Sequence, residues 1–239
     1  VAPQSGAPSH LSEFQEQVFF FTQGDGDAVE LWKTSGTPQD TVRVADLSPD
    51  GVQPAMGRPQ LSPLVHDSSL FFILGDQLFK SDGTQVVGLG ANENLKNIGP
   101  NAAWLSLDDK ILLWNPDSQR LIAIQDNGES QVLYAPLGLD DFREARSNEL
   151  VSFEGHVYFA ISQGNQADLW RTDGTRVGTV KVADFTGETT LGGVIGDSLV
   201  LHNQDTVWRT DGNSLTPLFS GSDTELISRE IEGHIFFRG

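Results

Sequence analysis

The chain has 239 residues, no cysteine, and 15 Lys plus Arg against 33 Asp plus Glu, a formal net charge of -18. Such a charge repels phosphate backbones and anionic lipid, which excludes nucleic acid as an expected partner and favours a soluble surface, basic partners or divalent cations. The absence of cysteine excludes a disulfide framework and thiol chemistry.

Residues 1–10 carry Pro3, Ser5, Gly6 and Pro8, and are expected to form a flexible or extended arm. This start has no charged head and no apolar stretch. It reads as the mature end left after removal of a leader, or as a linker, and either fits an extracellular, cell-surface or periplasmic location. No apolar run approaches the ~20 residues of a membrane helix, so no membrane span is expected.

From Leu11 the first repeat opens with LSEF, a polar turn at Gln15-Glu16-Gln17, and the apolar run Val18 to Phe21. The fourth repeat has the same grammar: LVSF, Glu154-Gly155-His156, then Val157 to Ala160. Similar second strands begin at Leu70, Ile111, Leu199 and Ile235. Continuous apolar runs of this length indicate strands covered on both faces. The third strand, LWKT at Leu31 and LWRT at Leu169, and the fourth, TVRVADL and TVKVADF, alternate apolar with polar residues, as strands with one wet face do.

Tight Asp-Gly turns join third to fourth strands at Asp82-Gly83, Asp173-Gly174 and Asp211-Gly212. Gly supplies the positive φ such a hairpin needs and Asp tolerates it. The third repeat is degenerate: Ile122 replaces the aromatic residue and the turn grows to Asp126-Asn127-Gly128. The residues before the aromatic position are 31, 78, 121, 169 and 207, steps of 47, 43, 48 and 38. Their mean of about 44 matches one propeller blade. We therefore expect an all-β protein, a β-propeller of four-stranded antiparallel blades. Its five full repeats fall at about 11–47, 58–90, 102–137, 147–186 and 190–220, with a partial sixth at 226–239, all in one domain over 11–239. A β-sandwich, the alternative, would leave one face of most strands wet and would need no periodic sequence.

The segments ELWKTSGT at Glu30 to Thr37, SDGT at Ser81 to Thr84 and DLWRTDGTRVGTVKVADF at Asp168 to Phe185 resemble the ELW-x-[ST]-D-G-T repeats of secreted and surface bacterial proteins. The resemblance implies propeller blades in large exported proteins and carries no shared catalytic residues. The partial sixth repeat supplies two strands where a blade has four. A longer polypeptide or a protein partner is therefore expected to supply the rest.

Antiparallel order puts the first and third turns of every blade on one face and the irregular loops on the other. Loops on a rigid scaffold are where binding is expected. The candidate binding residues on that face are Asp25, Asp27, Asp50, Asp117, Asp140, Asp141 and Arg143. Asp25 and Asp27 flank a glycine and are the candidate calcium ligands, since calcium takes six to eight oxygens. No other cofactor is expected. Trp32, Phe79, Trp170 and Trp208 are expected to pack between blades, the alternative being a sugar platform. Gly196-Asp197-Ser198-Leu199 spells a serine-hydrolase tetrapeptide but occupies a hairpin tip, so no catalytic residue is assigned. His156 and His234 share one repeat position, and His10, His66 and His202 lie far apart. The leading functional expectation is a non-catalytic exported binding or scaffolding module. The alternative is a carbohydrate-binding or carbohydrate-active propeller.

Overall fold

The structure is a computed structural model that describes residues 6–23, 28–47, 59–99, 101–135, 150–163, 165–221, 225–226 and 234–238. Among them there is no α-helix and five four-stranded sheets follow one another along the chain. The first holds β1 (Ser9–Phe14), β2 (Gln17–Gln23), β3 (Val29–Thr34) and β4 (Val42–Asp46). The second holds β5 (Leu64–His66), β6 (Ser69–Leu74), β7 (Gln77–Ser81) and β8 (Val86–Ala91). In the third are β9 (Ala103–Leu107), β10 (Lys110–Asn115), β11 (Arg120–Gln125) and β12 (Ser130–Tyr134). The fourth contains β13 (Val151–Phe153), β14 (His156–Gln163), β15 (Gln166–Thr172) and β16 (Val180–Thr186). The fifth contains β17 (Thr189–Ile195), β18 (Ser198–Asn203), β19 (Thr206–Thr210) and β20 (Leu215–Ser220). Each sheet keeps its strands in sequence order, the meander expected of a blade. The short strands β21 (Glu225–Leu226) and β22 (Phe237–Arg238) pair with each other where the partial sixth repeat is expected.

Burial follows the strand order within each sheet. Second strands are the core: all six residues of β6 are buried, as are five of the six in β10. Fourth strands are the wet edge, as in β4 and β16. The third strand departs from its expected alternation in β11, where Leu121 to Ile124 are all buried. Ala123 stands there in place of the Lys or Arg of the other repeats, so nothing draws that position to water. At the other end, β1 opens at Ser9, so the last two residues assigned to the arm are the first two of a strand. A Cβ on Gly6 would lie 2.8 Å from the Gln23 carbonyl oxygen, a close approach only glycine permits.

Chain contacts divide the protein into two compact units, Val1–Ile111 with Ile124–Gln131, and Leu112–Ala123 with Val132–Gly239. In the first unit Phe14, Phe19, Phe21, Leu31, Leu70, Phe72, Leu74 and Phe79 form one apolar cluster drawn from the first two sheets. In the second, Phe153, Tyr158 and Leu169 of the fourth sheet pack with Leu191, Leu199 and Leu201 of the fifth.

Candidate functional site

The [ST]-D-G-T turn is held by side-chain hydroxyls and carboxylates that bond to the backbone and to one another. In the fourth sheet the Gly174 N–H donates to Thr172 Oγ1 at 3.1 Å, and Asp173 Oδ1 accepts from the Thr175 N–H at 2.9 Å and its hydroxyl at 2.7 Å. Ser81 with Asp82 repeats this arrangement, and Thr210 with Asp211 does so with Asn213 giving the N–H and Ser214 the hydroxyl. The glycines have positive φ, from 81° at Gly174 to 91° at Gly83, as expected. The Asp residues do not share it, so their role is to accept orphan N–H groups in an Asx turn rather than to tolerate strain. Those hydrogen bonds hold the carboxyl groups of Asp82, Asp173 and Asp211 below the ordinary Asp range. A second hydroxyl closes the loop: Thr172 and Thr179 share a hydrogen bond of 2.7 Å, and Thr179 donates to the Thr175 carbonyl at 2.6 Å.

The first sheet reaches the same end with a displaced carboxylate. Ser35 stands where Asp is expected, and Asp40 Oδ2 instead accepts from Thr37 Oγ1 at 2.6 Å. In the fourth sheet the residue corresponding to Asp40 is Gly178, and a Cβ there would fall 2.0 Å from Asp173 Oδ1. The space holds one carboxylate, delivered from one side or the other.

In the first, second and fourth repeats the basic residue after the aromatic position reaches the turn of the following repeat. Lys33 Nζ donates to the Gly83 carbonyl at 2.9 Å, and Arg171 Nη1 to the Gly212 carbonyl at 2.7 Å. Lys80 Nζ reaches the enlarged turn of the third repeat at Asp126 Oδ2, 2.6 Å. Aromatic packing follows the same direction: Tyr134 of β12 meets Trp170 at 4.9 Å, and Phe185 of β16 meets Trp208 at 5.7 Å between ring centroids. Trp170 and Trp208 therefore pack between repeats.

An outer bulge adds to this contact. In four sheets the fourth strand carries one extra residue at the same register: Val44, Leu89, Val182 and Leu218. Val44 and Ala45 pack on the cluster that includes Leu70 and Phe72, and Val182 and Ala183 on the one that includes Leu199 and Leu201. Leu89 approaches Gly128 so closely that a Cβ there would lie 2.9 Å from its own. The fifth sheet has the same parts without a described neighbour over them. Leu218 and Phe219, at the positions of Val182 and Ala183, are 51% and 55% exposed, and Arg209 turns to Thr216 of its own sheet at 3.4 Å. The inner side of that sheet is covered, since Gly192 of β17 has Ile235 against it, 3.3 Å from where a Cβ would stand.

The first unit also gathers a polar cluster on the face of the first and third turns. His66 ends β5, Asp67 opens the next turn, and Asp126 lies in the β11–β12 hairpin. The His66 side chain is fully buried, with Nδ1 2.7 Å from Ser106 Oγ and Nε2 3.6 Å from Asp126 Oδ1. Neither Nε2 nor that Oδ1 has a hydrogen-bond partner. In the sequence His66 stands far from the other histidines, and nothing local marks it as part of a site. Lys80 and Asp126 are 46 residues apart, and their contact follows only from the docking of the second repeat on the third.

Of the binding residues expected on the loop face, Asp117 is described: it is exposed in the turn after β10, its N–H donating to Asn115 Oδ1 at 3.2 Å. Among the described residues it joins no group able to hold a metal. Asp25, Asp27, Asp50, Asp140, Asp141 and Arg143 lie outside the described residues. Ser198 opens β18, paired with Ile195 beside the Gly196-Asp197 turn, with its hydroxyl 3.4 Å from Asp197, and His156 Nδ1 lies 2.9 Å from the Glu154 carbonyl.

No family model matches the chain. No curated protein matches it. Among solved structures it is similar to a catalytically inactive virginiamycin B lyase from Staphylococcus aureus with quinupristin, at 13% identity over 100% of this chain and 79% of that one, TM-score 0.54. A protein from Lactobacillus plantarum matches at 12% identity over 92% and 74% of the two chains, TM-score 0.52. Puromycin hydrolase matches at 13% identity over 91% and 40%, TM-score 0.51. At such identities the likeness shows the fold alone, and that fold is the β-propeller.

Proposed function

We propose that the protein is a non-catalytic exported propeller that serves as a binding and scaffolding module in a surface protein or larger assembly. The observation that carries this reading is the outer edge of the fifth sheet. Leu218, Phe219 and Arg209 occupy positions that in the preceding repeats hold the next repeat's core and turn, yet two of them are more than half exposed. The occupant that fits is an outer strand pair of the same repeat type, carrying an [ST]-D-G turn whose glycine carbonyl accepts from Arg209. A longer polypeptide and a separate chain are two sources of that one element. The resemblance to ELW-x-[ST]-D-G-T repeats supports an exported setting.

Adding a copy of residues 168–186 after Gly239 tests the reading. The extended protein is expected to melt several degrees higher, with β20 amides newly protected from exchange, and Phe219→Ser to cancel both effects. Unchanged melting and exchange would contradict it.

A glycan-binding reading is supported by a different feature, an open groove of about 650 Å³ whose lining includes Asn92, Asn94, Gln125, Ser130 and Gln131. Amides and hydroxyls suit sugar hydroxyls. A glycan array together with a panel of chromogenic glycosides tests it, and blanks in both would remove it.

A further inference from the structure

We propose that His66, Asp67 and Asp126 bind one divalent transition-metal ion of the zinc class, clipping the first turn of the second repeat to the hairpin of the third. One ligand atom from each residue lies within 4.8 Å of the others. The carboxylates alone would be an ordinary acidic cluster. The distinguishing observation is the buried imidazole: its Nε2 is sealed from water, has no hydrogen-bond partner, and faces Asp126 Oδ1, also without one, across 3.6 Å. Buried polar atoms are rarely left so.

That gap is too long for an N–H···O hydrogen bond, which ends near ~3.2 Å. It is close to the ~3.3–3.5 Å that separates two ligands bound at about 2.0–2.1 Å on a tetrahedral ion. The surroundings prepare each ligand. Ser106 Oγ, 2.7 Å from Nδ1, can accept the Nδ1 proton, and in that tautomer the lone pair on Nε2 is left for the ion. Phe71, 5.8 Å away ring to ring, flanks the imidazole edge to face. Lys80 Nζ holds Asp126 through Oδ2 at 2.6 Å, which leaves Oδ1 for the ion, and Lys80 itself lies 5.1 Å over the Phe71 ring. With Lys80 offsetting one carboxylate, the three ligands and the lysine together carry one net negative charge to receive a dication. One imidazole and two carboxylates, completed by water, suit zinc far better than calcium, which wants an all-oxygen shell. The site is distinct from the calcium loop expected at Asp25 and Asp27.

Zinc is the probe. Chelator-stripped protein dialysed against buffered Zn2+ is expected to take up one equivalent per chain by metal analysis and to melt at a higher temperature. Asp67→Asn and Asp126→Asn should each weaken uptake at least tenfold. Asp67 is exposed and has a positive φ of 51° that Asn adopts readily, so that variant keeps its fold. Asp197→Asn, in another hairpin, should leave uptake unchanged. Histidine NMR supplies a second reading: zinc should shift the His66 Nε2 resonance and leave His156 in place. Less than half an equivalent in the parent protein, or equal uptake in the parent and both Asn variants, would overturn the proposal. So would a His66 resonance that responds to pH and not to zinc, because His66 and Asp126 would then be an imidazolium–carboxylate pair.

Discussion

Gly178 and Asp173 show how tightly the turn is specified at the scale of single residues. Gly178→Ala puts a methyl 2.0 Å from Asp173 Oδ1 and should lower the melting temperature, whereas the double change Asp173→Ser with Gly178→Asp recreates the Ser35 and Asp40 arrangement and should recover most of the loss. A thermal-melt cycle checks this, and additive losses would count against a shared carboxylate space. The ELW motif has a comparable reason. Glu30 Oε2 accepts from Trp32 Nε1 at 3.0 Å, while in the fourth repeat Asp168 is one methylene shorter and Trp170 Nε1 is buried without a partner. Asp168→Glu should supply the missing acceptor and stabilise the fold by about 1 kcal/mol in denaturant titration.

The carboxylates also set opposite pH dependences. Those of Asp82, Asp173 and Asp211 are depressed by hydrogen bonds, so their stabilisation is present above their unfolded value near 3.8 and is lost as pH falls through the folded values. Asp168 is raised, first by burial and then by Asp184 against the opposing pull of Lys181. Its contribution is present below the unfolded value and is lost as pH rises through the folded one. Asp168→Asn should therefore raise the melting temperature at pH 7 and progressively less toward pH 4, and an equal gain at both would contradict the assignment.

At the scale of elements, the recurrent unit is a strand pair that latches forward through its basic residue and its bulge. Arg171 and Arg209 occupy the same position but meet different partners. Arg171→Met should destabilise the protein by about 1–2 kcal/mol, since a charged donor leaves the Gly212 carbonyl. Arg209→Met should cost almost nothing in this chain. Equal losses would mean that the latch is incidental. The second-strand cores, the turns and the aromatic positions were legible because each is local and repeats at one register. The bulge was not legible, because Val44 and Val182 read as ordinary alternating strand residues until pairing shows the extra residue beside them. The polar cluster was equally hidden: Lys80 and Asp126 are 46 residues apart and meet only because one repeat docks on the next. Asp25, Asp27, Asp50, Asp140, Asp141 and Arg143 lie outside the described residues, and exposed Asp117 stands apart from any metal-holding group among them.

At the scale of the whole molecule, the fold explains how short strands form a core: within the first unit the apolar strands of the first and second sheets cover one another, and within the second unit those of the fourth and fifth do the same. The same rule makes the outer half of the fifth sheet informative, because Leu218 and Phe219 are more than half exposed where the first and fourth repeats half-bury Val44, Ala45, Val182 and Ala183 against the next sheet. Sheet edges left open invite further strands. The most direct test is native mass spectrometry of the protein from its source, combined with hydrogen exchange of β20. The account predicts a species well above 26.0 kDa, in one longer chain or in a complex, with the amides of Leu218 and Phe219 protected. An isolated 26.0 kDa monomer whose β20 amides exchange freely would contradict it.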